Sequence, residues 1–181
     1  MPRLTPLKMD ELSPEQREVA DAIVSGPRGG LRGPFDPWLR SPVLADRAQR
    51  LGEFCRYGTV LPKHLSEMAI ILTGRHWDSQ YEFYAHARLA REAGLPEPVI
   101  EAIRTRAKPE ISGAEAALYD FVTEFLATHH VSEPVYARAL AEFGERGLVD
   151  LIGIVGYYGL VSMTLNVFEV ALPEGVEPPL S

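Results

Sequence analysis

Cysteine is almost missing from this chain of 181 residues: Cys55 is the only one. That excludes an intrachain disulfide framework, and any two-thiol redox cycle would have to recruit a second molecule. Positive charge is also short. Eighteen Lys and Arg face 25 Asp and Glu, giving a formal charge of -7. No basic cluster stands out, which argues against the cationic footprint that nucleic acid requires. No uninterrupted apolar run is long enough to span a bilayer, and the opening MPRLTPLKMDELSPEQ lacks the apolar core of a signal peptide. The expectation is a cytoplasmic protein that binds a small molecule, with no nucleic-acid or membrane partner.

Alternating strand patterns are absent too, and the periodicity that remains is helical, so the fold class is all-α. Ser13-Pro14-Glu15-Gln16 reads as a capping box, followed by Val19, Ala20, Ile23 and Val24 at helical spacing. Residues 25 to 38, SGPRGGLRGPFDPW, read as an irregular loop: either a surface connector or a lid over a pocket, with Arg28 or Arg32 facing an anion. Ser41-Pro42 starts a helix with Leu44, Ala48, Leu51 and Cys55 on one stripe. The segment from Leu61-Pro62 to a Gly94 cap is expected to break near Thr73-Gly74. Further helices are expected from Pro96 to Lys108, from a capping box at Ser112 to Glu115 onward to His130, from Glu133 to Phe143 and from Leu148 to Val167. Gly153, Gly156 and Gly159 suit close helix packing. Residues 1-40 form an arm, 41-172 the helical domain and 173-181 a tail.

WDSQYEFYAH, residues 77 to 86, concentrates acids, a serine, a histidine and aromatics on one helix. At about 100° per residue, Ser79, Glu82 and His86 fall in one sector with Phe83 and Ala90. Trp77, Tyr81, Tyr84 and Arg88 gather on the opposite side, and a helix apolar on both sides is central or covered by a second subunit. An acid one turn from a histidine on a buried face can satisfy it and exchange a proton with it. Glu67, embedded in KHLSEMAIILTG, reads either as a third member pointing at His86 or as an exposed acid paired with Lys63.

The pattern from Glu67 to Leu95, E-x-x-x-I-L-T-G-R-H-W-D-S-Q-Y-E-F-Y-A-H, with A-G-L closing it, resembles the carboxymuconolactone decarboxylase family, which includes alkylhydroperoxidase D. The similarity is strongest across residues 56 to 105, and Asn166 also looks like its longer members. The resemblance implies an all-helical bundle that assembles as a homo-oligomer: a trimer, hexamer or dimer. In the peroxidase branch a glutamate precedes a Cys-x-x-Cys pair and a histidine follows four positions after the second cysteine. Glu67 and His86 match that glutamate and histidine, but Ser79 and Glu82 stand where the cysteines would be. Neither residue can be oxidised and recycled as a thiol is.

The resemblance therefore implies the branch without thiols: cofactor-free acid-base chemistry, decarboxylase-like, on a small carboxylated lactone or an unsaturated or keto acid. Glu67, Glu82 and His86 are the expected catalytic residues, and Ser79, Tyr81 and His76 the expected substrate contacts. An acidic substrate also calls for a cation, for which Arg56, Arg75, Arg28 and Arg32 are candidates. Two other classes are open: a metal-dependent enzyme using Glu67, Glu82 and His86, and a non-catalytic binding protein of the same fold.

Overall fold

A computed structural model describes residues 2-27 and 29-180, so Arg28 lies outside the described residues. Among them the regular elements are eight α-helices and one short turn of 3₁₀-helix at Met9–Glu11, with no strand. The helices are α1 (Pro14–Ser25), α2 (Phe35–Trp38), α3 (Pro42–Tyr57), α4 (Lys63–His76), α5 (Gln80–Glu92), α6 (Glu97–Arg104), α7 (Gly113–Thr128) and α8 (Glu133–Val167).

Helix α4 is the hub, because it is apolar almost all round. Every residue from Leu65 to Arg75 is buried, and α5, α6, α7 and α8 all pack on it. A helix hydrophobic on all sides belongs in the centre of a bundle. Helix α8 carries a stretch long and apolar enough to cross a bilayer, but 67% of that window is buried within the chain, which makes it the second core helix.

The local start and stop signals are mostly as read. Ser13 Oγ accepts from the Gln16 amide, and the Gln16 side chain accepts from the Ser13 amide, so the capping box of α1 is complete. The box expected at Ser112 does not form: its side chain makes no cap bond, and the chain enters α7 through Gly113 at φ 56. Helix α6 stops at Arg104, before Lys108. The two helices expected at the C-terminus meet directly inside α8 at Gly144, where φ 65 and ψ 174 suit glycine alone.

One correction bears on the site. The chain does not break at Gly74; α4 runs on to His76, and the turn is made by Trp77 to Ser79, with Asp78 at φ 50. Gly74 instead marks where α5 crosses α4: a Cβ there would stand 3.4 Å from Glu82 Cγ. The turn is closed by the Ser79 amide, which donates to the Gly74 carbonyl at 2.9 Å.

Both chain ends are fastened. The Arg3 amide donates to the Phe168 carbonyl and the Leu7 amide to Asp36. The segment expected as a tail, 173-181, returns to α5 as far as Leu180: the Gln80 side chain bonds both the amide and the carbonyl of Leu180 at 2.9 Å, and Leu180 is buried, while Ser181 lies outside the described residues.

Candidate active site

Helices α4 and α5 are antiparallel neighbours across the Trp77 to Ser79 turn, and their facing sides bring Glu67, Glu82 and His86 together. The burial follows the helical sector read from the sequence: Ser79, Glu82, Phe83, His86 and Ala90 are all buried, whereas Trp77, Tyr84 and Arg88 on the other side are exposed. Glu67 is 0% exposed, Glu82 4% and His86 6%. Glu67 Oε2 lies 2.6 Å from His86 Nδ1. On the other edge of the ring, Nε2 stands 3.1 Å from Glu82 Oε1. Glu67 Oε1 is paired with Lys63 Nζ at 2.7 Å, so Glu67 serves both partners that the sequence offered as alternatives.

This arrangement fixes what each acid can do. Burial pushes the Glu67 carboxyl up, but the hydrogen bond and charge of His86, with those of Lys63, outweigh it and hold the group below the ordinary range. Glu67 is thus a carboxylate that orients the imidazole through Nδ1, and Nε2 faces Glu82 and the cavity beyond. Glu82 and His86 stand within hydrogen-bonding distance, so a proton can pass between them.

The cavity has a volume of about 470 Å³, within the range of roughly 300–1,000 Å³ usual for small-molecule sites. Glu82 and His86 form one wall, Tyr157 and Tyr158 of α8 another, and Arg56 of α3 a third. Pro27, Gly30, Arg32, Gly33, Pro34 and Phe35 also lie on the lining. Part of the segment read as a connector or lid therefore lines the pocket, and its end forms the short helix α2. Among the described residues no carboxylate pairs with Arg56 or Arg32, and Arg56 Nε is buried with no hydrogen-bond partner. Both cations remain available to an acidic ligand.

Tyr158 is the participant that sequence reasoning missed. Its ring meets the His86 ring edge-on, with centroids 4.9 Å apart and planes at 74°. Tyr158 lines the cavity, and its hydroxyl is buried with no hydrogen-bond partner among the described residues. Burial first, and then the charge of Glu82, push its ionisation well above the ordinary tyrosine value, so it is a neutral donor. The only signal in the sequence is the pair Tyr157-Tyr158 amid glycines, which reads equally well as helix packing.

The remaining expectations separate cleanly. Tyr81 lies on the cavity wall. Ser79 is 0% exposed behind it, with Oγ unpartnered among the described residues, and does not reach the lining. His76 is on the far side of the α4–α5 turn, lining a separate depression with Leu72 and Arg106. Arg75 is committed elsewhere, to the Arg104 carbonyl and the Asp78 carboxylate. Cys55 is buried on α3 and absent from the lining. Asn166 donates to the Trp77 carbonyl at 2.7 Å, a structural tie.

The three residues named for the metal alternative are spread around one ring. Among the described residues no three His, Cys, Asp or Glu side chains are grouped to hold an ion. Glu67 and Glu82 sit at opposite nitrogens of one imidazole, so an ion at Nε2 would meet Glu82 but have the ring between it and Glu67.

No family model matches the sequence, and a comparison with curated proteins returned no match. Among solved structures, the chain is similar to one described as an alkylhydroperoxidase AhpD core, an uncharacterized peroxidase-related protein from Ralstonia eutropha JMP134. The match covers 96% of this chain and 93% of that one, with a TM-score of 0.78 and 18% sequence identity. At that identity the likeness speaks for architecture, and it agrees with the helical order found here: the chain has the all-α fold of the alkylhydroperoxidase AhpD core.

Proposed function

We propose that the chain is a cofactor-free acid-base lyase, decarboxylase-like, acting on a small carboxylated lactone or an unsaturated or keto acid. The observation that carries this reading is the imidazole of His86 held between two buried carboxylates at the wall of a cavity that also presents uncommitted arginines. Arg56 and Arg32 supply the charge an acidic substrate needs, which two carboxylates alone would repel.

The chemistry balances on these groups. The bond to the substrate carboxylate breaks, its electron pair moves into a conjugated carbonyl as an enolate, and carbon dioxide leaves. The neutral hydroxyl of Tyr158 and the guanidinium of Arg56 stabilise the enolate oxygen. The Glu82–His86 pair then delivers a proton to carbon and recovers one from solvent. Glu67 touches no substrate; it is a positioning residue that holds the ring. A thiol peroxidase cycle finds no support, since Cys55 is the only cysteine and lies buried off the cavity.

The functional unit in this reading is a cytoplasmic homo-oligomer. An exposed apolar stripe on α8 supports assembly: Val149, Ile152, Gly156, Met163 and Val167 lie on one side of the helix and face solvent. Gly153 and Gly156 have no atom of this chain within 4 Å of where a Cβ would be, leaving a smooth strip for another backbone.

The test is a panel of short keto acids and unsaturated lactone acids, followed by release of carbon dioxide and by deuterium incorporation at carbon. Wild type should turn over at least one member, and Glu82→Gln and His86→Ala should lose about 10²–10⁴-fold. Equal rates for wild type and His86→Ala across the panel would leave a binding protein without this reaction.

A further inference from the structure

Beside the acid-base cavity lies a second one of about 510 Å³ that the chemistry above does not use. Its walls come from the two ends of the chain, with Leu4, Leu7 and Leu12 from one and Phe168 and Val170 from the other, and from Leu31, Pro37 and Leu39 between them. They are apolar nearly throughout. The one carboxylate on the lining, Asp36, is already bonded to the Leu7 amide and to Arg40. The cavity is held in shape by the bonds that fasten the chain ends, Arg3 to Phe168 and Leu7 to Asp36.

The two cavities share a wall. Arg32, Gly33, Tyr81 and Pro173 line both. Tyr81 is the partition, half-buried between them, and it stands where it does because Gly33 has no side chain. Gly33 takes φ +64, and a Cβ on it would come within 3.3 Å of Tyr81 Cε1. Arg32 sits at the junction, so a molecule that places a carboxylate near Arg32 and Arg56 has Glu82 and His86 on one side and the apolar cavity on the other.

We infer that the second cavity is a tail subsite: the substrate is a carboxylic acid whose reactive head lies at Glu82 and His86 and whose apolar tail passes Tyr81 to lie between the chain ends. This rests on the acid-base reading for the identity of the head, but the subsite can be tested apart from it. Apart from Arg32 at the junction, which the head carboxylate engages, no uncommitted charged side chain lines the second cavity, so the tail is an alkyl or aryl group, bound by its removal from water.

The measurement is calorimetric binding of butanoate, hexanoate and octanoate to wild type, Val170→Trp and Leu4→Trp. The two variants fill the cavity from opposite walls, outside the helices and away from Glu82 and His86. Burying a methylene strengthens binding about three- to fourfold, so octanoate should bind wild type on the order of 100-fold tighter than butanoate. In the variants that gain should fall below about fivefold, with butanoate unchanged. A flat series in wild type, or an undiminished gain in both variants, overturns the subsite. A crystal of wild type with octanoate decides the matter without a variant: carbons between Leu7 and Val170 support the subsite, and carbons elsewhere overturn it. Deuterium exchange on a short keto acid needs no tail, so its loss with the chain-length gain intact would overturn the acid-base reading and leave the subsite standing.

Discussion

Glu67 Oε2 and His86 Nδ1 are 2.6 Å apart, although the residues are 19 positions apart in the chain and sit on different helices. Among the described residues Glu67 is the group that fixes that edge of the ring, and it is fully buried. Replacing it by alanine leaves a cavity and an imidazole without its partner, while Lys63, partly exposed, can turn to solvent. Glu67→Ala should cost about 3 kcal/mol, read as a fall in Tm of roughly 6–12 °C. A change below about 1 kcal/mol would mean that the contact does not order the site.

The same pair makes stability depend on acid. The folded Glu67 carboxyl lies below its ordinary value of 4.5, so the folded state binds its proton less readily than the unfolded chain does. Its contribution is present above that value and is lost as pH falls through the folded one. Denaturant titrations from pH 7 to pH 3 should therefore show wild type losing more stability than Glu67→Gln. Parallel curves for the two proteins would remove Glu67 from the acid transition.

What is legible in the sequence divides by distance along the chain. The Ser13 box, the sector of Ser79, Glu82 and His86, and the helix ending at Gly94 are set by neighbours within a turn or two, and local periodicity reveals them. Gly74 misleads because a glycine that breaks a helix and one that admits a crossing helix look alike until the crossing helix is placed. Tyr158, the place of Arg32, Gly33 and Pro34 on the pocket lining and the clamp of Gln80 on Leu180 depend on contacts between distant segments. No spacing rule reaches those, and Tyr158 in particular is hidden in a run that packing alone would explain.

Gly33 offers a test of the wall between the two cavities. Its positive φ and its contact with Tyr81 both oppose a side chain. Gly33→Ala should cost about 1–2 kcal/mol and displace the Tyr81 ring, visible as a changed tyrosine resonance by NMR. An unperturbed Tyr81 signal would show that the ring is not held by Gly33.

Assembly can be checked on α8. Val149 is 71% exposed and Met163 41%, on the same stripe as Ile152 and Val167. Light scattering should find wild type as a dimer, trimer or hexamer, and Val149→Glu with Met163→Glu as a monomer, because two buried unpaired carboxylates are costly at an apolar interface. A wild type that is monomeric at micromolar concentration would end the oligomer reading.

Tyr158 gives the sharpest separation between a packing role and a chemical one. Its hydroxyl is buried without a hydrogen-bond partner among the described residues, so the folded chain has lost its hydration with nothing in return. If the ring only packs, Tyr158→Phe keeps that packing, and both stability and turnover stay level or improve. If the hydroxyl waits for a developing oxyanion, removing it leaves stability unchanged or raised by about 1 kcal/mol, while kcat falls about 10²–10³-fold. The second outcome is the one expected. It is read from paired measurements of Tm and of turnover on whichever acid of the panel reacts. An alkaline titration supplies an independent control: the folded Tyr158 ionises well above the ordinary value of 10.0, so its contribution is lost as pH rises past that value, and the phenylalanine variant should lack that part of the decline.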